Sequence, residues 1–164
     1  MKLDSLTKLY VHELKDLWSA EKQIVEAMDK TIPKVGDADL QQALRNHLDQ
    51  TRGQQRRLET IFKGLDFEPG GHHCEGMEGL RGEASELLST EGEGAVLEAG
   101  LISALQRVEH YEIAAYGSAR AYAEKLGRRE DANLLTASLE EEGQADRLLT
   151  QIADRHLNFE ALVS

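Results

Sequence analysis

Residues 101–126 read LISALQRVEHYEIAAYGSARAYAEKL, and the spacing of their apolar side chains decides the fold. Leu101, Leu105, Val108, Ala115, Ala119, Tyr122 and Leu126 recur at three- and four-residue intervals, the period of one face of an α-helix. Glu112 falls on that stripe after Val108, with Glu109 beside it. The stretch therefore predicts a long bundle helix whose inward face carries carboxylates at mid-length. It is expected to start near Thr90 and to end at Leu126, where Gly127 provides a C-terminal cap.

Three further helices follow from the same period. The first runs from about Ser5 to Thr31 on Leu6, Tyr10, Leu14, Leu17, Ile24 and Met28, and stops at Ile32-Pro33 with Gly36 beyond. The second starts at an Asp37 N-cap and runs to about Phe62, with Leu40, Leu44, Leu58, Ile61 and Leu65 apolar and Gly64 marking its end. The last spans about Arg129 to Ala153 on Leu134, Leu135, Ala145, Leu148, Leu149 and Ile152, before a short tail from Asp154 to Ser164.

Connection lengths set the topology. Short links around Lys34 and Gly127 make two antiparallel hairpins. The link from Gly64 to Ser89 is long enough to cross a bundle at up to about 3.3 Å per extended residue, and Met77 to Leu88 reads as a minor helix within it. The expected fold is all-α: a ferritin-like four-helix bundle with a long crossover between its second and third helices that contains a short extra helix. Two hairpins exchanged between protomers is the alternative. At 164 residues, with 5% aromatics and two prolines, the chain suits one helical domain covering residues 1–164.

Charge narrows the function. A net charge of -11 opposes non-specific nucleic-acid binding and attraction to an anionic membrane surface, and it favours cations as guests. The single cysteine, Cys74, forms no internal disulfide and fits a reducing compartment. The opening MKLDSLTKLYVHELKD lacks an apolar signal core, and no run approaches 18 apolar residues, so a cytoplasmic protein without a membrane span is expected.

Each apolar stripe is broken near its middle. Glu21 breaks the first, and His47, Thr51 and Gln54 break the second. Glu109 and Glu112 break the third, and Ser138 with Glu141 or Glu142 breaks the fourth. Unpartnered carboxylates are costly to bury, and several together repel, so four breaks at one height point to a shared cation. Oxygen ligands with an imidazole suit iron or manganese, and less specifically zinc. Taken singly, each residue also has a plain reading: a flank pair for Glu21, a half-buried histidine for His47, a solvated edge for the glutamates. The run His72-His73-Cys74 reads as a solvated loop, and Trp18, Tyr10, Tyr111 and Tyr116 as packing residues.

Several segments resemble one family. Glu21-Lys22-Gln23 after Ser19-Ala20, His47-Leu48, the run from Cys74 to Leu80, and above all Val108-Glu109-His110-Tyr111-Glu112-Ile113-Ala114-Ala115-Tyr116-Gly117 are similar to the YciE/YciF-like bacterial stress proteins of the ferritin-like superfamily. The resemblance spans about Leu6 to Ala153. It implies a four-helix bundle, a homodimer, and a di-metal centre of iron or manganese. Matched to the superfamily pattern, Glu21 takes the first-helix Glu place, Glu109 the third-helix place and Glu141 the fourth-helix place, with Gln144 where His would stand. On the second helix the expected Glu falls at Gln50 and the expected His at Gly53, and no E-x-x-H occurs in the chain.

The expected metal ligands are therefore Glu21, His47, Glu109, Glu112 and Glu141, with Gln50, Gln54 and Gln144 hydrogen-bonding around them. The implied role is handling peroxide or iron under stress. The alternative is a non-catalytic dimeric stress protein with a degraded site that acts through partner binding. The dimer is expected through the first hairpin or the tail, where Leu157, Phe159, Leu162 and Val163 are apolar.

Overall fold

Two N-caps place the first hairpin. The Ser5 side chain accepts from the Lys8 N–H at the start of α1 (Leu6–Thr31). Asp37 accepts from the Leu40 N–H at 2.8 Å at the start of α2 (Ala38–Leu65). Between them Pro33 sits in a single 3-10 turn, where it has no N–H to lose. These features come from a computed structural model that describes residues 3–164.

α2 runs three residues past the expected end at Phe62. Gly64 stays helical, and Asp66 takes the left-handed position at φ 57°, closing the helix with its own N–H on Lys63 and that of Phe67 on Phe62. A residue with a short polar side chain tolerates that conformation better than most. The crossover then reaches α3 (Glu75–Ser89), the short extra helix, N-capped by Cys74. Thr90, the expected start of the next helix, instead ends α3, and α4 is Gly94–Lys125. Gly127, at φ 72°, turns the chain into α5 (Arg129–Ile152). A π-helical turn at Ala153–Leu157 leads to α6 (Asn158–Val163).

A few contacts fix the topology. Tyr10 near the start of α1 bonds Asp131 near the start of α5, and Arg128 reaches the Gly64 carbonyl at the end of α2. At the opposite end Glu98 of α4 accepts from the Gly36 and Asp37 N–H groups, and His156 meets Asp37 at 2.7 Å. So α2 and α4 run parallel, each antiparallel to its hairpin partner. α1 packs on α2 and α4, and α5 on α2 and α4, closing the four long helices within one chain. α3 lies over α1 and α4. This is the ferritin-like arrangement. Leu6 and Leu148, counted on the apolar stripes, are exposed.

The interior is two apolar clusters, not one. One gathers Ile24, Met28, Leu44, Leu101, Leu105 and Leu149. The other gathers Tyr10, Leu14, Leu58, Phe62, Tyr116 and Leu135. Along every long helix the boundary between them falls at or beside the polar break: between Leu17 and Ala20, just before Glu21, and between Leu48 and Leu58, Val108 and Ala115, and Leu135 and Leu149. The buried polar layer is thus a slab between two apolar plugs.

Candidate metal centre

Every long helix contributes to this slab. α1 supplies Glu21, α2 His47, Thr51 and Gln54, α4 Glu109 and Glu112, and α5 Ser138 and Glu142, all buried. Helical spacing explains the pairs. Glu109 and Glu112 are three apart and share a face, and Gln54 follows Thr51 by three. Thr51 donates its hydroxyl to the His47 carbonyl at 3.0 Å.

Four side chains converge. One ligand atom each from His47, Glu109, Glu112 and Glu142 lies within 4.8 Å of all the others. His47 Nε2 is 3.3 Å from a Glu109 oxygen and 3.7 Å from a Glu142 oxygen, without hydrogen-bond alignment. Glu21 stands next to this group: its carboxyl faces Glu112 and accepts a short hydrogen bond from the Tyr116 hydroxyl. Gln54 donates its amide to Glu142 and, at 3.1 Å, to Glu141.

Many donor atoms here have no hydrogen-bond partner. They are one oxygen each of Glu21, Glu109 and Glu142, both oxygens of Glu112, both ring nitrogens of His47 and the amide oxygen of Gln54. Buried polar atoms are almost always satisfied, so such a concentration at one level of an apolar core matches a cation-binding set. Hard oxygens with one imidazole are the donor chemistry of iron and manganese sites. The residues His47, Glu109, Glu112 and Glu142 could hold a metal ion.

Electrostatics agrees with geometry. Burial, then the nearness of Glu142, holds the Glu21, Glu109 and Glu112 carboxyls well above the ordinary carboxylate range. Burial and the Glu21 and Glu112 charges likewise push the Tyr116 phenol up. Without a cation these carboxyls keep protons that exposed glutamates lose.

The structure brings together Glu21, His47, Glu109 and Glu112 from the expected ligands, and places Glu141 outside the converging group. Glu141 faces outward by one residue and is held at 2.6 Å through both oxygens by the Arg57 guanidinium, which also reaches Ser138. That ion pair holds the Glu141 carboxylate at the bundle edge, outside the group of four converging ligand atoms. Glu142 takes its place. The signal was in the sequence, since Leu135, Ser138, Glu142 and Leu149 are spaced 3, 4 and 7 apart.

The expected second-helix register also shifts. Gln50 is half-buried and lines, with Asn46, His47, Glu109 and Gln144, a cavity of about 160 Å³ leading from the surface to the cluster. Gln54 is the glutamine inside the centre, and Gln144 is exposed. Tyr116 and Tyr111 do more than pack, since each bonds a carboxylate.

The loop reading of His72-His73-Cys74 holds for His73 alone. Cys74 is buried, with its Sγ 2.9 Å from the Tyr111 hydroxyl and 3.2 Å from Asp16, and His72 bonds Asp16 at 2.9 Å. A second group of possible ligands, His73, Glu75 and Glu78, is exposed.

A four-helix bundle with a mid-chain crossover and a buried carboxylate–histidine layer contributed by all four long helices defines a ferritin-like protein. The chain belongs to the family described as a domain of unknown function, DUF892, whose model matches residues 5–162. It is 38% identical to Escherichia coli protein YciF over 98% of both chains. The crystal structure of that E. coli stress protein superposes with a TM-score of 0.91, covering 95% of this chain and 99% of that one. The Rhodopseudomonas palustris protein YcfI, also 38% identical, gives 0.87 over 92% of this chain and 97% of that one. A Xanthomonas campestris protein at 19% identity shares the fold, with 0.78 over 96% of this chain and 97% of that one.

Proposed function

We propose that this chain is a ferritin-like stress-response protein whose core binds a carboxylate-bridged pair of iron or manganese ions, and that it handles peroxide or iron. One observation carries the reading: the unpartnered oxygens of four glutamates and both nitrogens of His47 meet at one level of a core that is otherwise apolar. His47, Glu109, Glu112 and Glu142 would hold one ion, and Glu21 with Glu112 would extend the set to a second. Such ions supply a reversible change of oxidation state beside an O–O bond.

The chain's own residues do the rest. The glutamates offset the positive charge of the ions, and the two apolar clusters exclude water on either side. Tyr116 fixes Glu21, and Gln54 orients Glu142. The cavity at Gln50 and Gln144 offers a small oxidant or a cation an approach from the surface. The similarity to E. coli YciF supports the stress role.

The proposal extends to a homodimer through the tail, where Phe159, Leu162 and Val163 are exposed. A partner-binding role with a weakened centre is the second reading, and the neutral Gln54 inside the cluster favours it.

Protein purified without chelator should carry about two equivalents of iron or manganese and should consume hydrogen peroxide. Metal-free protein that also takes up neither added ion would favour the second reading.

A further inference from the structure

A second cavity, of about 200 Å³, lies between α1, α3 and α4, and none of the four converging ligands lines it. Ile24, Met28, Leu44, Leu101 and Leu105 form its walls, and all are buried members of one apolar cluster. Its polar edge has one sign. Lys30, Lys34 and Arg81 line it, and no aspartate or glutamate does, in a chain with 30 acidic residues against 19 Lys and Arg. Arg81 gives one guanidinium N–H to Gln23 at 3.2 Å, while its buried Nε has no partner. An apolar pit rimmed by three cations on an acidic protein is complementary to one kind of small molecule: an alkyl chain ending in an anion.

Volume sets the chain length. An apolar cavity of about 150 Å³ takes a six-carbon ring, so this one accommodates about eight carbons. We propose that the cavity binds a monomeric aliphatic carboxylate of about that length, with its alkyl chain among Ile24, Leu101 and Leu105 and its carboxylate at the Arg81 guanidinium, on a rim that Lys30 and Lys34 also make positive. The site is separate from the carboxylate–histidine centre and stands or falls independently of it.

The test is calorimetric titration of the full chain with hexanoate, heptanoate, octanoate and decanoate below their aggregation limits, beside octanol and octylammonium. Affinity should rise about fourfold per added methylene up to octanoate and then level off. Octanol should bind about tenfold more weakly than octanoate, since it lacks the charge met by the basic rim, and octylammonium should not bind. Arg81→Gln should weaken octanoate by about tenfold. Ala27→Phe, which fills the pit from its half-buried wall, should abolish binding, and Lys22→Gln, away from the cavity, should change nothing.

Absence of saturable octanoate binding up to about 5 mM would overturn the proposal. So would octanol or octylammonium binding as tightly as octanoate, or octanoate binding unchanged by both Arg81→Gln and Ala27→Phe. Association with anionic vesicles without binding of free octanoate would also overturn it, because that would locate the affinity at a charged surface.

Discussion

Glu142 and Glu141 are neighbours in sequence with opposite roles in this structure, and exchanging each for glutamine separates them. Glu142 lies within 4.8 Å of both Glu109 and Glu112. At an effective dielectric of about 20, two unit charges 4.8 Å apart repel by about 3.5 kcal/mol, so a fully ionised cluster would cost about 7 kcal/mol through Glu142 alone. Retaining protons relieves that repulsion in the metal-free protein, the direction in which burial and Glu142 push the Glu109 and Glu112 carboxyls. Glu142→Gln keeps the shape and the acceptor for Gln54 while removing the charge. It should stabilise the metal-free bundle by about 1–3 kcal/mol, after about 1 kcal/mol is lost from the weakened Gln54 bond. Its metal affinity should fall at least about 100-fold, because even a partner behind a ligand is worth 10–100-fold. Glu141→Gln should do the reverse. It loses a two-point ion pair with Arg57, about 1 kcal/mol at this partly exposed edge, and leaves metal content unchanged. Urea unfolding in chelator gives the stabilities, and elemental analysis of protein purified without chelator gives the metal. Loss of metal in Glu141→Gln with full retention in Glu142→Gln would refute the assignment.

The pH dependence of the metal-free protein follows from the same carboxyls. Glu21, Glu109 and Glu112 bind protons more tightly folded than unfolded, so their contribution is least costly below about 4.3, the unfolded glutamate value, and falls as pH rises through their folded values. Denaturation midpoints in chelator should therefore decline as pH rises above the unfolded glutamate value, less steeply in Glu142→Gln. Asp37→Ala removes the α2 N-cap and should cost about 1 kcal/mol by urea unfolding. Burial opposes ionisation of Asp37, but the Leu40 N–H and His156 outweigh it and hold the carboxyl low, so that stabilisation is present above the unfolded aspartate value and is lost as pH falls through the folded one. His156, raised chiefly by its bond to Asp37, should titrate at lower pH in the variant, as proton NMR would show. Gln54→Glu should raise Mn(II) affinity at least about tenfold and destabilise the metal-free form, whereas Gln50→Glu, at the cavity wall, should change affinity less than about threefold. Equal effects of the two in a titration would move the centre toward Gln50.

The fold was legible because local and global signals agree. Apolar spacing fixed four long helices, Asp37 and Gly127 marked their ends, and one long link forced a crossover. The helix ends less governed by such signals moved by three or four residues, as at Leu65, where Asp66 and not Gly64 takes the left-handed position. The centre was legible where a helix offered a single buried carboxylate, as Glu21 on α1. It was ambiguous where three glutamates adjoin. Glu140, Glu141 and Glu142 differ by about 100° of helix rotation each, and what holds Glu141 at the edge is Arg57, a residue 84 positions away that no local pattern connects to it. The second helix was misread for a related reason. Its inward face, His47, Thr51 and Gln54, departs from the superfamily motif, so matching to that motif selected Gln50. Cys74 was hidden by its neighbours: two histidines looked like a wet loop, yet the sulfur caps α3 and meets Tyr111 and Asp16 across the fold.

The claim that the buried layer is a metal centre is tested most directly by titrating chelator-stripped protein with Mn(II) in a calorimeter, in two buffers of different ionisation enthalpy. Binding of about two equivalents should release protons, because the Glu21, Glu109 and Glu112 carboxyls hold them until a cation displaces them. Saturable binding with proton release that disappears in Glu142→Gln is the predicted result. No binding, or binding without proton release and unchanged in Glu142→Gln, would contradict it.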